Sequence, residues 1–298
     1  MEARTAGGVV VRGDALHFGA HVAEGSCELA YLDPPFSVGV RFGARPPGRP
    51  RAKGPVAYDD RWPSLEAYLG WLEPRIAATR DLLSNEGTLW LHLDQRAVHE
   101  AKVACDRVFG RGRFAGEIVW VPGNGSKSKR GPGIGHQTLL VYTRTKTFIW
   151  NTADPSMREP FAATSLSMHF GRADADGRRY RERVIAGKAY RYYADLGRAI
   201  GSVWTDCPSM VANTPLMAET TGYPTQKPLK LLDRIVRASS RPGALVVDPF
   251  MGSGTTLVAA HAAGRRFAGC DTGVLAIQIT RARLIAAGAA LGARAEAG

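Results

Sequence analysis

The sequence has few cysteines, no long apolar run and a shortage of acid. Cys27, Cys105, Cys207 and Cys270 stand far apart in 298 residues, with no C-x-x-C pair for a zinc site and no close spacing for a disulfide framework. Reduced thiols are therefore expected. No stretch reaches transmembrane length, and the opening "MEARTAGGVVVRGDAL" has neither a charged leader nor an apolar segment long enough for a secretory signal. The expectation is a soluble, cytoplasmic chain with no membrane partner. Acidic residues number 27 against 39 Lys and Arg, a formal net charge of +12, which suits a polyanionic partner and equally a solubilising surface charge. Also missing are G-x-G-x-x-G and G-x-x-x-x-G-K-[ST], which weighs against nicotinamide dinucleotides and nucleoside triphosphates as ligands.

What is present is an α/β pattern. With 45% apolar residues the chain can bury a full core, read as one large domain with a smaller insert. "GGVVVRGDAL" and "CELAYLDPPF" read as short buried strands that each stop at a carboxylate, Asp14 and Asp33. Residues 37–60 are rich in Gly, Pro and Arg and read as a mobile basic loop. Ser64 is placed to cap a helix over "SLEAYLGWLEPRIAATRDLL", which Pro74 is expected to kink or divide. A strand over "GTLWLHLD", a helix ending at Gly110 and strands over "FAGEIVWV" and "HQTLLVYTR" follow. The alternation fades from about residue 151 to 220 and resumes with a helix starting near Pro228. Inside the gap, Gly177 to Arg198 interleaves Arg and Lys with Tyr180, Tyr190, Tyr192 and Tyr193. That mixture suits a nucleic-acid surface, and equally a solvated hairpin with tyrosines packed beneath arginines.

Two stretches carry chemistry. In "AYLDPPFSVG" consecutive prolines end a strand and hold Asp33, the Pro34 carbonyl and the Phe36 ring in a fixed arrangement, either a plain stiff turn or a seat for one flat polar group. In "GALVVDPFMGSGTTLVAAHAAGRRFAGCD" a strand ends at Asp248, Gly252 and Gly254 let the backbone pass close to a ligand, Thr255 or Thr256 opens a helix, and the next strand ends at Asp271. An acid about 20 residues beyond such a loop is where a Rossmann-like unit bonds ribose hydroxyls. Asp248 at the loop's mouth repels a diphosphate and attracts an ammonium group. An adenosine with an amino-acid tail fits best, and S-adenosylmethionine is that molecule; a glycine turn made for packing alone is the plainer alternative.

Together, "DPPF" and "FMGSGTT" make the chain resemble the β group of amino DNA methyltransferases, in which the catalytic motif precedes the cofactor motif in a circularly permuted order. The likeness extends to "GDAL", "LHLD", "EIVW" and "YPTQKP" and so covers nearly the whole chain. It implies a Rossmann-like, circularly permuted α/β fold with residues 1–150 as the catalytic part, 151–220 as an inserted target-recognition region and 221–298 as the cofactor-binding part. Methyl transfer from S-adenosylmethionine to the exocyclic amino group of a base flipped out of double-stranded DNA follows, adenine N6 first and cytosine N4 second. An RNA methyltransferase and a non-catalytic DNA-binding protein are the lesser alternatives.

Carried over by position, Asp33, Pro34, Pro35 and Phe36 would be catalytic. Asp14, Ala15, Asp33, Thr225, Lys227, Asp248, Phe250, Gly252, Ser253, Gly254, Thr255 and Asp271 would hold the cofactor, with Asp271 at the ribose and Lys227 and Thr225 near the methionine carboxylate. Arg49, Arg51, Lys127, Lys129, Arg179, Arg181 and Arg191 would contact DNA, the first two mainly setting affinity and the last three reading sequence. The sulfonium is itself an activated leaving group, so no metal is implied. A homodimer and a companion restriction enzyme are the further partners the resemblance allows. Ser37 replaces a frequent Asn and Asp271 a frequent Glu, which leaves the ribose geometry the least fixed. His92 and His136 read as structural.

Overall fold

The computed structural model describes residues 7–44, 54–123, 125, 127–210 and 218–292; Arg49 and Arg51 lie outside them. Two compact units emerge, residues 1–150 with 202–298, and residues 151–201. In chain order the first contains β1 (Gly8–Arg12), β2 (Cys27–Leu32), the pair β3 (Arg41–Gly43) and β4 (Val56–Asp59), α1 (Leu65–Leu82), β5 (Leu83–Leu93), α2 (Val98–Phe109), β6 (Phe114–Trp120) and β7 (Gln137–Thr143). The second contains β8 (Arg158–Glu159), α3 (Ala163–His169), β9 (Arg172–Ala173), β10 (Arg179–Ile185), β11 (Lys188–Tyr193) and β12 (Arg198–Ala199). The chain then returns to the first unit with β13 (Val203–Trp204), α4 (Leu229–Ser239), β14 (Leu245–Asp248), α5 (Thr255–Ala262), β15 (Arg266–Asp271) and α6 (Val274–Ala286).

One eight-stranded sheet, ordered β1-β15-β14-β2-β5-β7-β6-β13, organises the first unit. Every neighbouring pair is parallel except the two made by β7. Strands covered on both faces need apolar side chains at successive positions rather than in alternation. β2 meets that demand, with Leu29, Ala30, Tyr31 and Leu32 all buried. The circular permutation lies in the pairing: β1 from one end of the chain runs beside β15 from the other, and β2 with its DPPF turn sits directly against β14, Ala30 opposite Val247.

α1 is one continuous helix, and Pro74 lies inside it without dividing it. Proline in a helix interior costs about 3 kcal/mol, but Tyr68, Leu72 and Ile76 are completely buried along the same helix, and each such burial contributes roughly 1.5–3 kcal/mol. Packing wins. Ser64 Oγ accepts from the Ala67 N–H at 3.2 Å, as a cap should, and α2 stops at Gly110, whose φ of 85° an L-residue rarely takes. Pro228 is the residue ahead of α4 rather than part of its first turn.

In the second unit β10 and β11 form an antiparallel hairpin closed by Ala186 and Gly187, both at positive φ, a two-residue turn whose twist matches that of the strands. The unit covers residues 151–201, shorter than the stretch 151–220 over which the sequence pattern fades. Trp204, buried at the sheet edge where β13 pairs with β6 opposite Trp120, explains the difference: a two-residue strand is too short to register as periodicity. Tyrosines do pack beneath arginines here, with Arg191 4.7 Å from the Tyr180 ring and Arg178 4.2 Å from that of Tyr193.

Candidate active site

The parallel strands bring five aspartates to one edge. β1, β15, β14, β2 and β5, adjacent in that order, are followed by or end in Asp14, Asp271, Asp248, Asp33 and Asp94. All five line one cavity of about 390 Å³, together with Pro34, Pro35, Phe36, Ala15, Phe250, Gly252, Ser253, Thr255, Thr225 and Lys227. Ligands in open α/β sheets sit outside the carboxyl ends of the strands. Of the residues named for catalysis and cofactor binding, all but one line this cavity. Gly254 stands behind the loop as the residue ahead of α5, at φ 74°, and a Cβ there would lie 2.5 Å from Thr280 Cγ2. It shapes the loop instead of facing the cavity. Gly254→Ala is expected to destabilise the protein by roughly 2–5 kcal/mol, the sum of the left-handed penalty and overpacking, measured as a fall in urea midpoint at unchanged slope.

The glycine loop is tied at both ends by carboxylates. Asp248 accepts from the Phe250 N–H at 3.0 Å, and Asp271 accepts from Gly252 N–H at 3.0 Å and Gly273 N–H at 2.8 Å. Gly252 has φ 49°, and a Cβ on it would meet the Tyr223 ring at 3.1 Å, so only glycine gives this close passage. Burial pushes the Asp248 carboxyl up to about 7, with Asp33 and Asp271 adding repulsion, and burial likewise raises Asp271. Acidic walls of this kind suit a cation and ribose hydroxyls.

At the DPPF turn, burial raises the Asp33 pKa while the Lys227 ammonium opposes it; Lys227 Nζ donates to Asp33 Oδ1 at 2.7 Å and also to Oδ2. The resemblance placed Lys227 at the methionine carboxylate; in this structure its partner is Asp33. Phe36 packs 5.7 Å from the His92 ring, which Tyr31 OH holds at Nδ1, 2.7 Å away. Burial and the nearby Lys227 lower the His92 pKa, consistent with a neutral, structural imidazole. Asp14 is committed to Arg75, which bonds both its oxygens; burial alone would raise its pKa, but the Arg75 contacts and the Leu16 N–H hold it below the usual value.

A family model for DNA methylases matches residues 27–281. The chain belongs to the N6/N4 DNA methylase family. Among curated relatives, the type II methyltransferase M.EcaI of Enterobacter cloacae is 27% identical over 310 aligned residues, covering 89% of this chain, which itself spans 66% of that protein, just under two thirds. M1.MboII of Moraxella bovis is 29% identical, over 83% of this chain and 84% of its own length, and the DNA adenine methyltransferase YhdJ of Escherichia coli K12 is 28% identical over 88% and 77%. Among solved structures the PvuII cytosine-N4-specific DNA methyltransferase superposes with TM-score 0.59 at 16% identity, covering 94% of this chain and 86% of that one. A putative DNA modification methylase of Thermus thermophilus, complexed with S-adenosyl-L-methionine, gives 0.58 at 20% over 98% and 99%. These place the fold among the Rossmann-like methyltransferases.

Within this chain, sequence reasoning passed over Asp60, Trp71, Arg75, Tyr58 and Tyr223. Asp60, 1% exposed, takes the N–H groups of Phe36, Ser37 and Val38 at 2.8–3.1 Å and that of the Trp62 indole at 3.0 Å. "YDDRW" ahead of the capped helix was its only signal. Tyr58 OH lies 3.1 Å from Thr225 Oγ1 and its ring stacks near Tyr223. Trp71 stands between Arg75, 4.3 Å over its ring, and Phe250 at 5.7 Å. Lys127 and Lys129 are exposed between β6 and β7. Arg179 donates to the Phe170 and Leu166 carbonyls, Arg181 lies 5.3 Å from both the Phe161 and the Phe170 ring, and Arg191 reaches Glu182 at 3.4 Å.

Proposed function

We propose that the protein is a site-specific enzyme that transfers a methyl group from S-adenosylmethionine to the exocyclic amino nitrogen of a base flipped out of duplex DNA, adenine N6 being the expected acceptor. The observation that carries this reading is that Asp33 and Phe36 share one cavity with the Asp248–Asp271 glycine loop. Asp271 and Gly252 would hold the ribose and Asp248 the ammonium end, with Phe250 and Ala15 as apolar walls. The bound cofactor supplies a methyl group on a sulfonium that leaves readily. Phe36 offers a face for the flipped ring. Asp33 and the Pro34 carbonyl accept from the amino N–H groups, localise the nitrogen lone pair and aim it. Asp33, its pKa raised by burial, would accept the proton that the methylated nitrogen releases.

A nucleoside digest of DNA treated with protein and methyl-labelled cofactor tests the reading. Label in N6-methyl-2′-deoxyadenosine is the expected result; label only in 5-methyl-2′-deoxycytidine, or in no nucleoside, overturns it. Cytosine N4 is the second reading, favoured by the PvuII fold neighbour that is named for that specificity. Arrangement as a homodimer, pairing with a restriction enzyme and action in the cytoplasm belong to the same proposal.

Two further outcomes are expected. Ionised Asp248 suits an ammonium ligand, whereas the protonated form does not, so cofactor affinity should rise with pH up to about 7 and flatten above it, with proton release on binding. Calorimetry in buffers of different ionisation enthalpy reads this directly. In the hairpin, Arg191→Ala should lower discrimination between cognate and altered sites by about 1–3 kcal/mol if it makes a bidentate base contact. Arg179→Ala, losing two carbonyl contacts, should instead destabilise the unit; a salt series of fluorescence anisotropy separates the two effects from plain loss of phosphate contacts.

A further inference from the structure

The cavity carries a marked imbalance. Six aspartates line it, Asp14, Asp33, Asp60, Asp94, Asp248 and Asp271, and Lys227 is the one Lys or Arg among the described residues that line it. Its side chain is nearly buried, as is that of Asp33, at 9% and 18% exposure. The ammonium bonds both Asp33 oxygens and lies 5.0 Å from the centroid of the Phe36 ring, over its face. Lys227 therefore occupies, with a single nitrogen, both features that the proposed function assigns to the target base: the carboxylate that receives the amino group and the aromatic face on which the ring stacks.

We propose that Lys227 is an internal stand-in for the target amino group, a positioning residue that occupies the Asp33 carboxylate and keeps the base seat closed until the cofactor's carboxylate draws the ammonium away. The inference rests on the methyltransferase reading given above. It follows from charge counting within the cavity. An amino-acid tail brings a carboxylate into a wall that offers one cation, so that cation has two competing claims on it. Lys227 sits in the turn just ahead of α4, two residues after Thr225 at φ 57° and outside any regular element, so the side chain can reorient without moving a helix or strand. Cofactor binding and base binding are then positively coupled, and by linkage each favours the other to the same degree.

The test uses a duplex carrying 2-aminopurine at the target position found by methylation mapping, whose fluorescence rises when the base leaves the stack. The full-length protein is titrated with this duplex alone, with S-adenosylhomocysteine, and with its decarboxylated analogue. The wild type is expected to flip the base roughly 5–150-fold more tightly with S-adenosylhomocysteine than without, and to gain nothing from the decarboxylated compound. Lys227→Met should flip the base equally well with and without S-adenosylhomocysteine. Equal enhancement by the decarboxylated analogue in the wild type, or a retained cofactor requirement in Lys227→Met, overturns the proposal. The wild-type comparison stands even if the variant does not fold. Methyl label transferred to the natural duplex in a parallel reaction reports the underlying function separately: label without coupling refutes the stand-in alone, and no label refutes the function.

Discussion

Asp33→Ala is expected to lower turnover by about 10²–10⁴-fold, the range for removing one group that acts on the transferring centre. Cofactor binding should be kept within a small factor. The argument is positional. Asp33 follows β2 directly, between the cofactor strand β14 and β5, and its carboxylate is the side-chain acceptor that two prolines hold toward the shared cavity. The substitution also strands the Lys227 ammonium, and an unpaired buried charge is costly, so a stability loss accompanies the catalytic one. Asp33→Asn separates the two. It keeps the volume and one acceptor oxygen but turns an N–H₂ toward Lys227, so turnover should still fall steeply while thermal stability falls less than in Asp33→Ala. Single-turnover kinetics with labelled cofactor, alongside calorimetric titration of the cofactor, give both quantities. An unchanged methyl-transfer rate in Asp33→Ala would refute the role given to this carboxylate.

Much of this site was legible because parallel strands write a distinctive signature. A continuous apolar run stopped by a carboxylate, as in "LAYLDPPF" or "LVVDPFMGSGTT", states strand, direction and polar terminus within a few residues. The fold then has only to align the strand ends. Asp14, Asp33, Asp248 and Asp271 stood out in this way. Contacts made by single side chains across the fold left no such trace. Arg75 lies inside a helix, where an arginine at the core-facing spacing looks like any other, and its pairing with Asp14, 61 residues away, follows from the tertiary arrangement alone. The Lys227–Asp33 pair spans 194 residues and joins two motifs that sequence reading had given separate tasks. The hairpin arginines show the reverse difficulty: their interleaving with tyrosine fits a nucleic-acid surface, but Arg179 and Arg181 also hold their own unit together, and composition cannot divide those uses.

Asp60→Ala is expected to cost roughly 3–5 kcal/mol of stability and most of the activity, though Asp60 takes no part in the proposed chemistry. Three successive N–H groups, from Phe36 to Val38, converge on its two oxygens, and the Trp62 indole adds a fourth donor. Hydrogen bonds to an ionised acceptor contribute about 1.5–3 kcal/mol each; even with water replacing some of them, the loss is large. The arrangement also fixes backbone that would not otherwise stay put. Ser37 lies at φ 59°, a left-handed conformation costing a non-glycine residue roughly 1–2 kcal/mol, and the Asp60 carboxylate is what offsets it. Without that anchor the segment after Pro35 relaxes and Phe36 leaves the cavity wall, so the base seat is lost along with the turn. Asp60→Asn provides the sharper test, because a carboxylate and an amide of the same shape differ only in chemistry. The amide presents one acceptor and one donor to an array made wholly of donors, so at least two N–H groups face an N–H₂. Asn should therefore behave almost as badly as Ala, with a melting temperature lowered on the order of 10 °C in each. If Asn instead restores wild-type melting and turnover, the loop is held by packing and the carboxylate is not its anchor.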